Sequence, residues 1–288
     1  MKDSISARTR VCGVIGNPVE HSMSPAMHNA AFRELGLDYV YVAFRVLPEN
    51  VVQAISGMKA LGLRGLNVTL PHKVAVMPLL DEIDPAAQAI EAVNTIVNDN
   101  GKLTGYNTDA PGFLRPLLER GIDIGGKNVL ILGAGGASRA VAYVLAEKGA
   151  RITILNRHKE RAEALADRIN AEHSGTTTAL ELNDENLNRQ IENAEILVNV
   201  TSVGMSPNVS DSLVKPSLLR RGVVVYDTVY TPVKTRLLRD AEAAGADVIS
   251  GIEMLTWQGA IAFELFTGEK APLELMKSAA IKQLQGVG

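Results

Sequence analysis

Residues 128–139 read NVLILGAGGASR, and they limit the fold more than any other stretch of this 288-residue chain. Four apolar residues, Val129 to Leu132, run straight into Gly133, Gly135 and Gly136, and a helix-forming run follows over 140–148. The order is strand, glycine turn, helix. Glycines let the turn be tight and let a ligand approach the main chain, while the helix amino end offers unpaired N–H groups and a partial positive charge to a phosphate. A second strand-like run over 151–155 follows Gly149 and completes a βαβ unit of about 30 residues, the size a dinucleotide site needs. Ser138 stands where the third glycine of that fingerprint falls and keeps a small residue where helix meets strand.

The end of the second strand decides which dinucleotide. A site for NAD carries Asp or Glu there to hold the ribose 2′-hydroxyl. This chain has Asn156 and Arg157, then Arg161. With no carboxylate and two guanidinium groups, the position favours a 2′-phosphate by charge and by bidentate geometry, so these residues predict NADP.

At 46% apolar content the chain can fill the cores of two ordinary domains, and a soluble globular protein is expected. The net charge of −3, with both signs mixed, suggests neither a nucleic-acid surface nor a polybasic membrane patch. The amino end is polar, without the apolar region of a signal peptide, and no apolar run reaches the ~18 residues of a spanning helix. The expected setting is cytoplasmic. The single cysteine, Cys12, lies in an apolar run and reads as a buried, inert thiol. The five histidines are scattered without metal-ligand spacing, and no metal is expected.

Taken in order, 9–15 reads as a buried strand. It is followed by the turn His21-Ser22-Met23-Ser24-Pro25, in which Ser24 is placed to cap a helix running to Leu35. Ser22 has no capping role to explain it, which makes it a candidate substrate contact at a strand end. A strand over 39–46 and a helix over 49–61 lead to Asn67, Thr69 and Lys73, at the end of another strand and beside a helix started by Pro71. Lys73 has few acidic neighbours in sequence, so a routine surface ion pair is not the obvious reading. Two strands, 92–97 and 102–106, are joined across Asp99-Asn100-Gly101 as a hairpin. Asp109 follows, either as the cap of a helix over 111–118 or as a carboxylate at the edge of a cleft. Residues 121–128 resemble part of a P-loop but precede a strand instead of following one, so they read as a linker. Beyond the glycine turn come a helix over 158–169, strands over 196–200, 223–226 and 247–250, and a helix over 237–244. The alternation of strand and helix holds throughout, as in an α/β protein. The tail is helical over 252–266 and 272–284, with an apolar face that needs a partner.

Nine segments together resemble the shikimate dehydrogenases. They are 21–25 (HSMSP), 67–73 (NVTLPHK), 92–95 (AVNT), 105–109 (GYNTD), 133–137 (GAGGA), 156–157 (NR), 199–205 (NVTSVGM), 227–232 (DTVYTP), and 251–255 (GIEML) with Gln258-Gly259. They keep the family's order over nearly the whole chain. The resemblance implies an N-terminal α/β substrate domain, residues 1–109 completed by 252–288, and a Rossmann-like NADP-binding domain, residues 110–251. The C-terminal helices would return to the first domain and the active site would lie in the cleft. The implied enzyme is an NADP-dependent oxidoreductase acting on a CH–OH group. It would reversibly reduce 3-dehydroshikimate to shikimate, on the route to chorismate and the aromatic amino acids. By the family's pattern Lys73 and Asp109 are the catalytic pair, and Ser22, Ser24, Asn67, Thr69, Asn94, Tyr230 and Gln258 hold the substrate. The cofactor falls to Gly133, Ala134, Gly135, Gly136, Ala137, Asn156, Arg157, Arg161, Thr201, Met205, Gly251 and Met254. His158 departs from the pattern, since many NADP-using members have Thr there. The implied partner is a small molecule, not nucleic acid or membrane, and the implied assembly is a homodimer. Two rival readings stay open: a relative that prefers quinate or also uses NAD, and a catalytically silent NADP sensor, which would have no need of Lys73 and Asp109 together.

Overall fold

The computed structural model describes residues 5–173 and 177–286. It divides into two compact units, the described parts of Met1–Gly112 with Thr256–Gly288, and Phe113–Leu255.

The first unit contains β1 (Arg10–Gly16), α1 (Ser24–Glu34), β2 (Tyr39–Arg45), α2 (Val51–Ala60), β3 (Gly65–Val68), β4 (Glu82–Ile83), α3 (Pro85–Ile90), β5 (Thr95–Asp99) and β6 (Lys102–Tyr106). The helix α4 (Asp109–Glu119) begins in it. Its sheet has the order β2-β1-β3-β5-β6-β4. Strand β1 is parallel to β2 and β3, whereas β5 runs antiparallel to both β3 and β6. The hairpin predicted across Asp99-Asn100-Gly101 is the β5–β6 pair, and there the alternation of strand and helix is interrupted. Asn100 and Gly101 both take positive φ, 53° and 93°, which closes a two-residue turn matched to the strand twist.

Strand side chains alternate between faces, and here the two faces do different work. Leu66, Val68 and Ile96 join Val51, Ile55 and Met58 of α2 in one apolar cluster. Asn67 and Thr95, which are register partners on β3 and β5, fall between those apolar positions and share the opposite alternation. An aromatic group also packs in this unit, with Phe32, Tyr41, Phe263 and Phe266 around His28. The His28 ring stacks on Tyr41 with centroids 4.3 Å apart and planes at 5°. Burial pushes its pKa down to about 3, so the ring stays neutral at physiological pH.

The second unit contains β7 (Asn128–Leu132), α5 (Gly136–Glu147), β8 (Arg151–Asn156), α6 (Lys159–Glu172), β9 (Thr177–Glu181), α7 (Asp184–Ile191), β10 (Ile196–Asn199), β11 (Val224–Asp227), α8 (Arg236–Ala243) and β12 (Asp247–Ser250). Its six strands are all parallel in the order β12-β11-β10-β7-β8-β9. This is the doubly wound order, with the direction of winding reversing between β7 and β10, and ligands of such sheets bind outside the carboxyl ends at that point. Val129 to Leu132 are at most 2% exposed, as a strand covered on both sides requires. Helices α7 and α8 pack Leu187, Ile191, Leu237 and Leu238 against Leu130, Leu132, Leu197 and Val225.

Two helices close the chain, α9 (Gly251–Thr267) and α10 (Leu273–Leu284). Helix α10 lies against α1, so the C-terminal helices return to the first unit and the tail's apolar face finds its partner there. Among the described residues no helix is long and apolar enough to cross a membrane. Cys12 is buried as a free thiol, and burial pushes its pKa up to about 12, which keeps it unreactive.

Candidate active site and cofactor site

Lys73 and Asp109 meet, although 35 residues of chain separate them: Nζ donates to Oδ2 at 2.6 Å. Both side chains are mostly buried, at 18% and 11% exposure, so the pair is shielded from water yet still reachable. The helix predicted from Pro71 does not form. The Lys73 carbonyl accepts from Val93 N–H at 2.9 Å, so it is not left to accept from Met77, which bonds to Val74 instead. The chain turns irregularly over 71–76, and this holds Lys73 on a loop beside the start of β5.

Asp109 does not cap a helix over 111–118; it is the first residue of α4. Asn107 does the capping, its Oδ1 accepting from Asp109 N–H at 3.0 Å and Ala110 N–H at 3.2 Å. The Asp109 carboxylate is thereby left for side chains. Asn94 Nδ2 donates to its Oδ1 at 2.9 Å and also to Thr108 Oγ1 at 3.0 Å. Asn94 Oδ1 accepts from Thr108 N–H at 2.7 Å and from Thr95 Oγ1 at 3.1 Å.

The predicted substrate residues of the first unit differ in how open they are. Ser22 and Thr69 are half-buried, Ser22 in the turn just before α1 and Thr69 at the end of β3. Ser24 is 8% exposed and is not the cap of α1: it is the first helical residue, and Ser22 Oγ accepts its N–H at 3.3 Å. Pro25 therefore sits one place further into the helix than the capping pattern supposed. Asn67 is 7% exposed and engaged by the protein itself, with Oδ1 accepting from Tyr41 Oη at 2.6 Å and Nδ2 donating to Thr95 Oγ1 at 2.9 Å. Gln258 lies on α9, half-buried. The roles of Tyr41, Thr95 and Thr108 are absent from the sequence reading. Only Thr108, standing between Asn107 and Asp109, carried a local signal.

In the second unit the glycine turn connects β7 to α5. Gly133 takes φ +109°, and a Cβ there would lie 2.9 Å from Thr201 Cγ2, so glycine is required on both counts. Ser138 proves more useful than a small spacer. Its hydroxyl accepts from Gly135 N–H at 2.9 Å and donates to the Gly133 carbonyl at 3.0 Å, bracing the turn from inside. Asn156 Oδ1 accepts from Ala134 N–H at 3.2 Å, and Asn156 Nδ2 donates to the His158 carbonyl at 2.8 Å, so this residue ties the turn to the end of β8. The N–H groups of Gly136 and Ala137 belong to the first turn of a 12-residue helix and have no acceptor within it. The surface above Gly135 is open, with nothing within 4 Å of a Cβ built there. Arg157 and Arg161 are exposed and take no carboxylate partner among the described residues. Open main chain at a helix amino end, flanked by two uncommitted guanidinium groups, fits a dinucleotide bearing an additional phosphate.

At the ends of β10 and β11 a second buried carboxylate holds two loops. Asp227 is 0% exposed and accepts from Asn199 Nδ2 at 2.9 Å, Val229 N–H at 3.1 Å and Thr235 Oγ1 at 2.6 Å. Burial pushes its pKa up to about 6, the three neutral donors only partly offsetting the loss of water. Asn199 Oδ1 in turn accepts from Thr201 Oγ1 at 2.7 Å, which fixes the turn that leads to the exposed Met205. Tyr230 is half-buried on the loop after β11, and burial raises its pKa. Gly251 lies where a Cβ would come 2.3 Å from the Thr228 carbonyl, so its hydrogen admits that loop. Met254 is buried at 7% exposure.

Three family models match along the chain: a shikimate dehydrogenase substrate binding domain over 14–96, shikimate/quinate 5-dehydrogenase over 117–225, and a shikimate 5′-dehydrogenase C-terminal domain over 251–281. An NADP(+) shikimate dehydrogenase of Methanopyrus kandleri is 50% identical over 98% of both chains. The shikimate 5-dehydrogenase of Thermus thermophilus, solved with NADP(H) and shikimate, matches with TM-score 0.85 and 40% identity over 96% of this chain and 99% of its own. That of Listeria monocytogenes, solved with shikimate and NAD, matches with TM-score 0.90 and 41% identity over 96% and 98%. The two-unit α/β fold, the doubly wound second unit and these matches agree, and the chain belongs to the shikimate dehydrogenase family.

Proposed function

We propose that Lys73 and Asp109 are the acid/base pair of an NADP-dependent dehydrogenase that interconverts 3-dehydroshikimate and shikimate. The observation that carries this reading is the 2.6 Å contact between their charged groups, held at the ends of strands among neutral hydroxyls and amides. NADPH, when bound, supplies the hydride. As the substrate's ketone oxygen gains charge, the Lys73 ammonium stabilises it and gives it a proton; in the oxidation direction Nζ takes that proton back. Acid catalysis of this kind is worth roughly 10²–10⁴-fold. Asp109 Oδ2 holds Nζ in one place, and Asn94 holds the carboxylate. Ser22, Ser24, Asn67, Thr69, Asn94 and Gln258 supply neutral donors and acceptors for a ring carrying three hydroxyls and a carboxylate. A site built from such groups discriminates by hydrogen bonding.

The cofactor falls to the second unit, with its pyrophosphate at the amino end of α5 and its 2′-phosphate on Arg157 and Arg161. The expected setting is the cytoplasm, where NADPH is available. The test is to follow the absorbance of reduced nicotinamide with shikimate or quinate, each with NADP+ or NAD+. Reduction that is fast with shikimate and NADP+ and at least tenfold slower in the other three mixtures is the expected result. Comparable rates with quinate or NAD+ would overturn the assigned specificity, and no rate in any mixture would overturn the catalytic reading.

A further inference from the structure

The catalytic pair is referenced to three consecutive residues, Val93, Asn94 and Thr95. Lys73 is tied to them through its main chain, since its carbonyl accepts from Val93 N–H at 2.9 Å. Asp109 is tied through its side chain, since its Oδ1 accepts from Asn94 Nδ2 at 2.9 Å. The short segment is itself fixed to both neighbouring strands: Asn94 N–H donates to the Tyr106 carbonyl of β6 at 3.0 Å, and the Asn94 carbonyl accepts from Val68 N–H of β3 at 2.8 Å. The separation of Lys73 from Asp109 thus depends on how the Asn94 amide is turned.

An amide end group turns easily, because its last torsion is broad and close to two-fold. Rotated by half a turn, Asn94 would present its oxygen to the Asp109 carboxylate and repel it. Three donors on Asn94 Oδ1 prevent this: the Thr108 N–H at 2.7 Å, the Thr95 hydroxyl at 3.1 Å and the Thr108 hydroxyl at 3.2 Å. The Thr108 N–H can only donate. The Thr95 hydroxyl could face either way, and its direction is set from further back. Asn67 Nδ2, which can only donate, occupies Thr95 Oγ1 at 2.9 Å. Asn67 is oriented in its turn by Tyr41 Oη, which donates to Asn67 Oδ1 at 2.6 Å. The Tyr41 phenol is fully buried, and burial holds its pKa well above the ordinary range, so it keeps its proton. All five side chains are nearly closed to solvent: Tyr41 1%, Asn67 7%, Asn94 3%, Thr95 0% and Thr108 1%. In such surroundings each bond is strengthened and each missing partner is costly.

We propose that Thr95 is a positioning residue of the active site: its hydroxyl passes the orientation set by Tyr41 and Asn67 to the Asn94 amide, which holds the Asp109 carboxylate against Lys73. Thr95 is closed to solvent, at 0% exposure, and its effect on the rate runs through Asp109. The proposal rests on the assignment of Lys73 and Asp109 to catalysis, and the single variant Asp109→Asn tests that assignment separately.

The experiment is a double-mutant cycle on kcat and KM for shikimate at saturating NADP+. Thr95→Val keeps the shape and removes the hydroxyl; it is expected to lower kcat about tenfold, with KM changed less than twofold. Thr95→Ser restores the hydroxyl and is expected within twofold of the parent. In the Asp109→Asn background Thr95→Val is expected to cost less than twofold, because the group it acts through is already gone. A circular dichroism spectrum and a cooperative urea transition like those of the parent report that the variant's first unit is folded, and NADP+ affinity, a property of the second unit, is expected to stay unchanged. Equal losses from Thr95→Val in both backgrounds, or a serine variant as poor as the valine one, would overturn the proposal. If the valine variant does not fold, Thr95→Ala carries the same cycle with the same two outcomes. An Asp109→Asn enzyme that keeps full kcat would instead sink the catalytic assignment itself.

Discussion

Among the described residues each unit buries one aspartate at the ends of its strands, and the two are treated in opposite ways. Asp109, in the first unit, faces the Lys73 ammonium at 2.6 Å with Asn94 on its other oxygen. Asp227, in the second, is wrapped by an amide, a main-chain N–H and a hydroxyl, all neutral. The second unit does contain cations, but Arg157 and Arg161 stand exposed and uncommitted at the end of β8. Charge is therefore paired internally in the first unit, at the pair proposed to move a proton, and left free in the second, at the cations proposed to hold a phosphate. Asp227 serves a third purpose. Asn199 and Asp227 are register partners at the ends of β10 and β11, and their side-chain bond joins the two loops that follow. A task of that kind needs acceptor oxygens rather than a balanced charge.

The sharpest way to break this comparison is to remove the cation from the first unit. Lys73→Ala is expected to lower kcat by roughly 10²–10⁴, with KM for shikimate changed far less, because the interaction strengthens mainly in the transition state. Steady-state kinetics at saturating NADP+ decides it; near-normal turnover with weakened binding would mean that Lys73 only holds the substrate.

The next effect concerns stability, and its sign follows from the raised pKa of Asp227. Between 3.8, the ordinary value, and about 6 in the folded protein, the folded state binds more protons than the unfolded one. Stability contributed by the protonated group is present below pH 3.8 and is lost as the pH rises to about 6, by an order of 3 kcal/mol. The neutral variant Asp227→Asn lacks this term. Urea unfolding of parent and variant across pH 4 to 7 is expected to show the parent losing stability relative to the variant by about that amount. A difference that stays constant with pH would mean that the donors around Asp227 keep its carboxylate as acidic as in the unfolded chain.

The contrast between the units also explains what could be read from the sequence. The glycine turn was legible because strand, turn, helix and second strand are contiguous, so a window of about 30 residues contains the whole device. The pairing of Lys73 with Asp109 was not legible from local pattern: its geometry depends on Val93 and Asn94, residues on a different loop, and reached the sequence reading only through the family resemblance. Capping was misplaced for a related reason. Ser24 and Asp109 are both good caps by type, but Asn107 caps α4, and α1 starts at Ser24 itself with Met23 ahead of it and no side-chain cap, Ser22 Oγ only accepting the Ser24 N–H. Strand β9 and helix α7 went unrecognised because they carry little apolar signal. Of the eight residues in α7 only Leu187 and Ile191 are buried, and β9 is an edge strand with one buried position.

The smallest effect tests the uncommitted cations. An exposed charge pair is worth about 0.2–1 kcal/mol, because water screens it. A phosphate held by the planar guanidinium fork sits at the upper end of that range. Arg157→Ser is therefore expected to raise KM for NADP+ about fivefold, and to leave KM for NAD+, which has no 2′-phosphate, unchanged. Arg161→Ser is expected to act in the same direction and to add to it, since both side chains are exposed and neither depends on the other for a partner. Measuring both cofactors with shikimate saturating separates the phosphate contact from general damage to the turn, which would raise both KM values together. Equal rises for NADP+ and NAD+ would move recognition of the phosphate away from these arginines, and with it the claim that the second unit keeps its cations free for a ligand.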